Sequence, residues 1–205
     1  MDVNLAAADA DMRELSTRRY AEAIEAAGEL AAPRVVVCAG KRHPLIPAPV
    51  ERARAWSVAA LQRLVARADS AGVGLCLENL PYGLCETVAE LRGLAEEVDD
   101  RVEVMVDTAN AHMVEPVAAA FAAHPRVGYV HVSDTTRAAW RHDELGAGEV
   151  DVATVADALA RTGATAVLEL VAADPLAALE RSRALLRAHG VGTAATSTNQ
   201  MTNQT

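Results

Sequence analysis

Five short apolar segments, each separated from the next by a longer stretch of helical character, constrain the fold of this chain more than any other feature. Each segment is rich in β-branched residues or almost continuously apolar, which is typical of parallel strands buried on both faces. The predicted strands are Arg34–Ala39, Val73–Leu80, Val102–Asp107, Val127–Asp134 and Thr165–Leu170.

Amphipathic segments with the periodicity of helices flank these strands. Several of them begin after a Pro or an Asp and stop at a Gly, as helix ends prefer. The predicted helices are Thr17–Ala32, Pro49–Ala71, Glu86–Val98, Pro116–Ala123, Val152–Arg161 and Pro175–His189. This alternation predicts an α/β fold in which parallel strands are joined by right-handed crossovers.

Two architectures fit the alternation: a doubly wound open sheet and a (β/α)8 barrel. Open sheets that bind nucleotides usually carry a glycine-rich loop after a strand, but Gly146-Ala147-Gly148 lacks the third glycine. Polar residues at the ends of several strands favour the barrel, whose active sites are built in this way. Five strands do not close an eight-stranded barrel, so either three βα units are lacking or the sheet is open.

Length and composition predict one domain over residues 1–190, followed by a polar, disordered tail over residues 191–205. The chain has 205 residues, of which 51% are hydrophobic. With 28 acidic and 19 basic residues the net charge is -9, so nucleic acid is not an expected partner. The three cysteines show no zinc-type spacing and no secretory signal precedes them, which predicts a reducing, cytoplasmic location. No apolar run approaches the roughly 20 residues that span a membrane.

Four charged or imidazole side chains follow one another near the ends of successive predicted strands. Each has a structural explanation of its own: Glu78 as a solvated strand end, Asp107 as a helix N-cap, and His131 as a hydrogen-bonded core residue. Glu169 lies between apolar neighbours, where an ionised carboxylate needs a partner.

Together the four residues predict a metal site. The carboxyl ends of parallel strands open on one side of the sheet, so these side chains can converge. Three converging carboxylates repel one another unless a cation lies among them. Three carboxylates and one imidazole suit one divalent ion, Mn²⁺, Mg²⁺, Co²⁺ or Zn²⁺.

An ordered set of motifs resembles the sugar phosphate isomerase/epimerase superfamily, the xylose isomerase-like TIM barrel that is also called AP endonuclease family 2. The motifs are Leu-Glu-Asn-Leu, Val-Asp-Thr-Ala-Asn, Val-His-Val-Ser-Asp, Leu-Gly-Ala-Gly-Glu-Val-Asp and Leu-Glu-Leu. The resemblance covers about Asn4 to Gly190 and implies a (β/α)8 barrel. By this resemblance the first three βα units are lacking and strands four to eight are present.

The resemblance to the ketose 3-epimerases of that superfamily also implies roles for individual residues. Glu78, Asp107, His131 and Glu169 take the places of the ligands of one metal ion, and the two glutamates those of the proton-transferring pair. Arg137, six residues after the metal histidine, is placed to contact a substrate oxygen. Asn110 occupies the place of a substrate-binding His, and His112 stands two residues further on.

Relatives of endonuclease IV hold three zinc ions with additional His and Asp ligands. His142 matches one of these ligands, but Trp140 and Cys38 stand where two others would be, so one metal ion and no endonuclease action are expected. His142 and His43 remain candidates for substrate contact, with a plain loop histidine as the alternative for His43. Trp140 either stacks on a sugar face or packs over a loop.

The expected function is metal-dependent isomerisation or epimerisation of a small sugar, sugar phosphate or related polyhydroxy carbonyl compound, with glutamates transferring the proton through an enediolate. An inosose-type dehydratase, an endonuclease IV-like hydrolase and an inactive barrel fragment remain as alternatives. A small carbohydrate-like molecule is the expected partner. An open barrel edge would expose apolar surface, so a homo-oligomer is also expected.

Overall fold

Helices and strands alternate along residues 3–192, which are the residues that the computed structural model describes. In chain order the elements are α1 (Ala10–Glu29), β1 (Arg34–Cys38), α2 (Val50–Ala71), β2 (Gly74–Glu78), α3 (Val88–Val98), β3 (Glu103–Val104), β4 (Val106–Asp107), α4 (Thr108–Val114), α5 (Val117–Ala123), β5 (Tyr129–Val132), β6 (Asp134–Thr136), β7 (Ala139–Asp143), α6 (Val152–Thr162), β8 (Thr165–Leu168) and α7 (Pro175–Ala188).

The parallel strands lie side by side in chain order. β1, β2 and β3 form one parallel sheet, and β4, β5 and β8 form another. β3 and β4 are consecutive pieces of one predicted strand, interrupted at Met105, whose N–H donates to the Leu77 carbonyl at 2.9 Å. Chain order without reversal is the order of a barrel wall, whereas a doubly wound sheet reverses it at a switch point. The strand order therefore favours the barrel over the open sheet.

The core lies between the outer face of this wall and the helices that cover it. Side chains alternate along a strand, so Leu75 and Leu77 of β2 share one face and Glu78 lies on the other. The two leucines are buried against the helices. Leu61 and Leu64 of α2 are fully buried in the same cluster. Each such leucine contributes about 1.5–3 kcal/mol when it leaves water, so the helices and the wall stabilise one another.

The two outermost parallel strands are less enclosed. Within residues 3–192, β1 pairs only with β2, and β8 pairs only with β5. Thr165 and Ala166 of β8 are exposed as a result.

Several element boundaries differ from those predicted. Helix α1 begins at Ala10 and not at Thr17, because the Asp9 carboxylate accepts the Met12 N–H at 2.9 Å and caps the helix there. Helix α4 and strand β7 were missing from the prediction, and Val127–Asp134 divides into β5 and β6. No helix in the described part of the chain has the length and apolarity needed to cross a membrane. The predicted tail falls, beyond Gly192, outside the described residues.

Asp134 organises the segment that follows β7. Its side chain is fully buried and accepts backbone N–H groups of Gly146 at 2.9 Å, Gly148 at 3.0 Å and Val150 at 2.9 Å. A fourth bond comes from the Thr135 N–H at 2.8 Å. Four donors satisfy both carboxylate oxygens, so this buried charge fixes the loop between β7 and α6 against the antiparallel β6–β7 hairpin.

Gly148 tests this arrangement. A Cβ at residue 148 would collide with the Thr135 carbonyl oxygen and the Asp134 carboxylate, both of which are held in place. Gly148→Ala should therefore lower the free energy of unfolding by about 2–3 kcal/mol in urea titrations. Gly128→Ala, where a Cβ meets nothing within 4 Å, is the matched control. Equal stability of the two variants would contradict this account of the loop.

Candidate metal centre

The four residues predicted as metal ligands come together at the carboxyl ends of the parallel strands. Glu78 ends β2, Asp107 ends β4, His131 lies within β5 and Glu169 directly follows β8. Each offers one ligand atom, and these atoms all lie within 4.8 Å of one another. The convergence follows from the parallel wall, because neighbouring strands place their ends on one rim.

The His131 imidazole lies between the two glutamates. Its Nδ1 is 3.0 Å from Glu78 Oε1 and 3.0 Å from Glu169 Oε2. Burial opposes a charged imidazolium, but the hydrogen bonds with Glu169 and Glu78 outweigh burial and raise the pKa of His131 to about 10. The centre therefore favours a positive charge at the point where the carboxylates meet.

Asp107 is the most enclosed member of the cluster, with no exposed surface. Its Oδ1 accepts the Asn110 N–H at 2.6 Å, but its Oδ2 is buried and accepts no hydrogen bond from the described residues. Burial and the nearby charge of Glu78 raise the pKa of Asp107 well above its ordinary value. A buried acceptor without a partner is costly, and a divalent ion among these four side chains would satisfy it. The donor set therefore fits the metal that the sequence predicts.

Asn79 and Asn110 hold Asp107 in place. The Asn79 side chain accepts the Asp107 N–H at 2.8 Å and donates to the Asp107 carbonyl at 3.2 Å. The Asn110 amide donates to the Asn79 carbonyl at 3.0 Å, and its oxygen accepts the Trp140 indole N–H at 2.8 Å. Asn110 is thus occupied by structural bonds, and its predicted contact with substrate stays a prediction. Sequence reasoning missed Asn79, although it stands next to Glu78 in the quoted Leu-Glu-Asn-Leu motif.

His142 is brought to the centre by the β6–β7 hairpin. Its Nδ1 lies 3.1 Å from Ser133 Oγ, 3.6 Å from Glu169 Oε2 and 3.9 Å from Asp107 Oδ2. It is therefore a fifth polar side chain at the cluster, close enough for a molecule bound there to meet it.

Three other predicted substrate residues make their contacts elsewhere. Arg137 is exposed on the β6–β7 turn, where its backbone N–H donates to Glu149 Oε2 at 3.0 Å. His112 Nε2 lies 3.6 Å from the same carboxylate oxygen. His43 is exposed, and its Nδ1 accepts the N–H groups of Leu45 and Ile46 at 3.1 Å each, so its contact with substrate stays a prediction.

Cys38 lies beside the centre, but its thiol is not a candidate metal ligand. Its Sγ is 4.0 Å from Glu78 Oε2. Burial, together with the Glu78 charge, raises the pKa of the Cys38 thiol to about 12, so the thiol stays protonated near neutral pH. Thiolates and not thiols bind metals, and the geometry therefore favours the four-residue set.

A family model described as "Xylose isomerase-like TIM barrel" matches residues 1–189. The chain belongs to this family. No curated protein matches the sequence significantly. Family membership confirms the resemblance and the barrel-type fold inferred from the sequence, and it identifies the chain as a sugar isomerase- or epimerase-like enzyme.

Several solved structures resemble the chain. A D-tagatose 3-epimerase-like protein superposes with a TM-score of 0.82 at 22% identity, over 92% of this chain and 75% of that one. An L-ribulose 3-epimerase reaches a TM-score of 0.72 at 25% identity, over 89% of this chain and 63% of that one. The TTHB071 protein from Thermus thermophilus, soaked with ZnCl2, reaches 0.71 at 29% identity, over 90% and 74%.

Metal binding should release a proton from this centre. The raised pKa keeps the metal-free His131 protonated near neutral pH, so an ion that takes its Nδ1 must displace that proton, and the raised pKa of Asp107 acts in the same direction. We expect the affinity for Zn²⁺ or Mn²⁺ to rise by roughly tenfold per pH unit between about pH 6 and 8. Calorimetry in buffers of different ionisation enthalpy measures the released protons directly.

His43→Asn is the control for this titration, because His43 makes its bonds within its own loop. This variant should release as many protons as the unaltered protein. An affinity that does not change with pH, with no proton released, would show that the ion binds elsewhere.

Proposed function

We propose that this chain is a metal-dependent isomerase or epimerase of a small sugar, sugar phosphate or related polyhydroxy carbonyl compound. The observation that carries the proposal is the placement of Glu78 and Glu169. They come from different strands and approach the same atom, His131 Nδ1, at 3.0 Å each. Two carboxylates that flank one point suit a reaction in which one removes a proton from carbon and the other returns it.

The side chains divide the chemistry between them. Hydrogen bonding with His131 lowers the pKa of Glu169, which keeps this half-buried carboxylate ionised and able to accept a proton. Asp107 is enclosed and held by Asn79 and Asn110, so it serves as a fixed ligand and not as a base. A divalent ion, when bound by Glu78, Asp107, His131 and Glu169, supplies polarisation of the substrate's carbonyl and hydroxyl oxygens.

Removal of the proton from the carbon next to the carbonyl gives an enediolate, and reprotonation on the opposite face or at the neighbouring carbon gives the epimer or the isomer. Arg137 is assigned to the developing oxyanion; it sits on the turn that carries His142 towards the centre. His142, Asn110, His112 and His43 remain assigned to substrate contact, and His142 is supported by its 3.6 Å approach to Glu169.

We further propose that β1, β2, β3–β4, β5 and β8 occupy the places of strands four to eight of a complete (β/α)8 barrel. Support comes from their chain order and from metal-ligand positions on consecutive strands. The same proposal includes self-association of the chain, which would cover the outer edges of β1 and β8. It also includes a cytoplasmic location, which suits the free thiols of Cys38, Cys76 and Cys85.

Replacing the paired carboxylates tests the mechanism. Glu78→Gln and Glu169→Gln should each lower turnover by at least about a hundredfold for whichever ketose the unaltered protein converts, since an amide does not accept the proton. A panel of D-tagatose, D-psicose, D-fructose and L-ribulose is incubated in D2O, and deuterium at the carbon next to the carbonyl is followed by NMR. Metal content, measured on the same samples, separates loss of the ion from loss of the base.

Glu97→Gln is the matched control, because Glu97 pairs with Arg54 on the outer helices at 2.6 Å. It should retain full activity. If both Gln variants at the centre keep their turnover with metal bound, the two-carboxylate mechanism is wrong.

A further inference from the structure

Two exposed aromatic side chains meet beside the metal centre, and the proposed chemistry uses neither. Tyr82 follows β2 and is 65% exposed, and Trp140 lies in β7 and is 41% exposed. Their ring centroids are 6.4 Å apart, and the rings meet edge to face at 68°. Large aromatic side chains usually bury most of their surface, so two adjacent exposed rings indicate a surface that binds something. We call Tyr82 and Trp140 the aromatic pair.

The indole of the aromatic pair is fixed relative to the metal ligands. Its N–H donates to Asn110 at 2.8 Å, and the Asn110 backbone donates to Asp107 at 2.6 Å. The Trp140 and His142 ring centroids are 6.3 Å apart, and His142 in turn lies 3.6 Å from Glu169. Trp140 therefore lies on the same rim as the metal ligands, with the His142 ring between it and the proposed proton-transferring residue Glu169.

Tyr82 is held outward by an unfavourable backbone conformation. Its φ of 61° lies in the left-handed region, which side chains other than glycine rarely adopt. The surrounding turn is fixed by the Gly83 N–H to the Leu80 carbonyl at 3.1 Å and the Leu84 N–H to the Gly40 carbonyl at 2.8 Å. Strain that keeps an aromatic ring in water does not improve packing, and such strain concentrates at binding sites.

We propose that the aromatic pair is a stacking subsite for a pyranose ring linked to the reacting sugar, so that the preferred substrate is a glycosylated ketose and not a free monosaccharide. This inference rests on the proposed function. The face of an aromatic ring carries partial negative charge and attracts the C–H groups that line one side of a pyranose. The two rings form a corner that contacts a sugar on two sides.

The side chains of the aromatic pair suit a neutral sugar better than a phosphate. Phosphates bind to charged side chains and N–H donors, not to ring faces. Arg141, the basic neighbour of Trp140 in the chain, is paired with Asp143 at 2.7 Å. Apolar ring faces suit the C–H face of a neutral sugar.

Tryptophan fluorescence gives a test that does not depend on turnover. The chain has two tryptophans, and the guanidinium carbons of Arg13 and Arg52 lie 4.1 and 5.3 Å from the ring centroid of the other one, Trp56. In a Trp56→Phe background, Trp140 is the only indole. The Mg²⁺-loaded protein is titrated with D-fructose and with three ketoses that carry a pyranose: lactulose, isomaltulose and turanose. At least one of the three should bind roughly tenfold more tightly than D-fructose and change the Trp140 emission.

Variants separate stacking from folding. Trp140→Ala, followed by calorimetry, should abolish the preference for the glycosylated ketose over D-fructose, and Trp140→Phe should keep most of that preference. Tyr82→Gly relieves the backbone strain, so it should raise the melting temperature and still weaken binding of the glycosylated ketose. A ring with only a structural role would not give this combination.

Two results would overturn the subsite. One is that none of the three glycosylated ketoses binds more tightly than D-fructose. The other is that Trp140→Ala weakens D-fructose as much as it weakens them. Ring-dependent binding without any exchange of hydrogen at carbon would reject the proposed reaction and keep the subsite, whereas exchange without ring-dependent binding would reject the subsite alone.

Discussion

A buried aspartate with one unpartnered oxygen is the constraint on which the site depends. Asp107 caps α4 with one oxygen and leaves the other buried without a hydrogen bond from the described residues, beside the carboxylates of Glu78 and Glu169. Repulsion among these groups is tolerable only with positive charge at their centre. The raised pKa of His131 means that the carboxylates stabilise a proton on the imidazole. A divalent ion would stabilise the cluster further, because it would also bind the unpartnered oxygen of Asp107.

Two separate parts of the fold build this centre. The parallel wall supplies the four ligands, since each follows from a strand that ends on the same rim. The β6–β7 hairpin supplies His142 and Trp140, and it is fixed by the buried Asp134 and its four backbone donors. The wall therefore determines the proposed chemistry, while the hairpin determines what a substrate meets beyond the reacting carbons.

The parts that could be predicted from the sequence are those with a repeating physical signal. Buried parallel strands have continuous apolar runs, so the wall and the residues at its ends were found, including the convergence of Glu78 with Glu169. The hairpin has no such signal, because Thr135–Asp143 is a mixture of polar and apolar residues whose shape depends on bonds to Asp134 from residues more than ten positions later in the chain. Likewise, nothing in the sequence showed that the His43 ring accepts bonds from its own loop, or that Asn110 is already occupied by Asn79 and Trp140.

Anomalous X-ray diffraction from crystals grown with Mn²⁺ above pH 8 tests the central claim most directly. We expect a single strong anomalous peak among Glu78, Asp107, His131 and Glu169, with Asp107 Oδ2 and His131 Nδ1 both within coordination distance of the ion. Such a peak would also show the imidazole released from its two glutamate hydrogen bonds. An ion bound outside these four residues, or none at all with the His131–glutamate contacts unchanged, would contradict it.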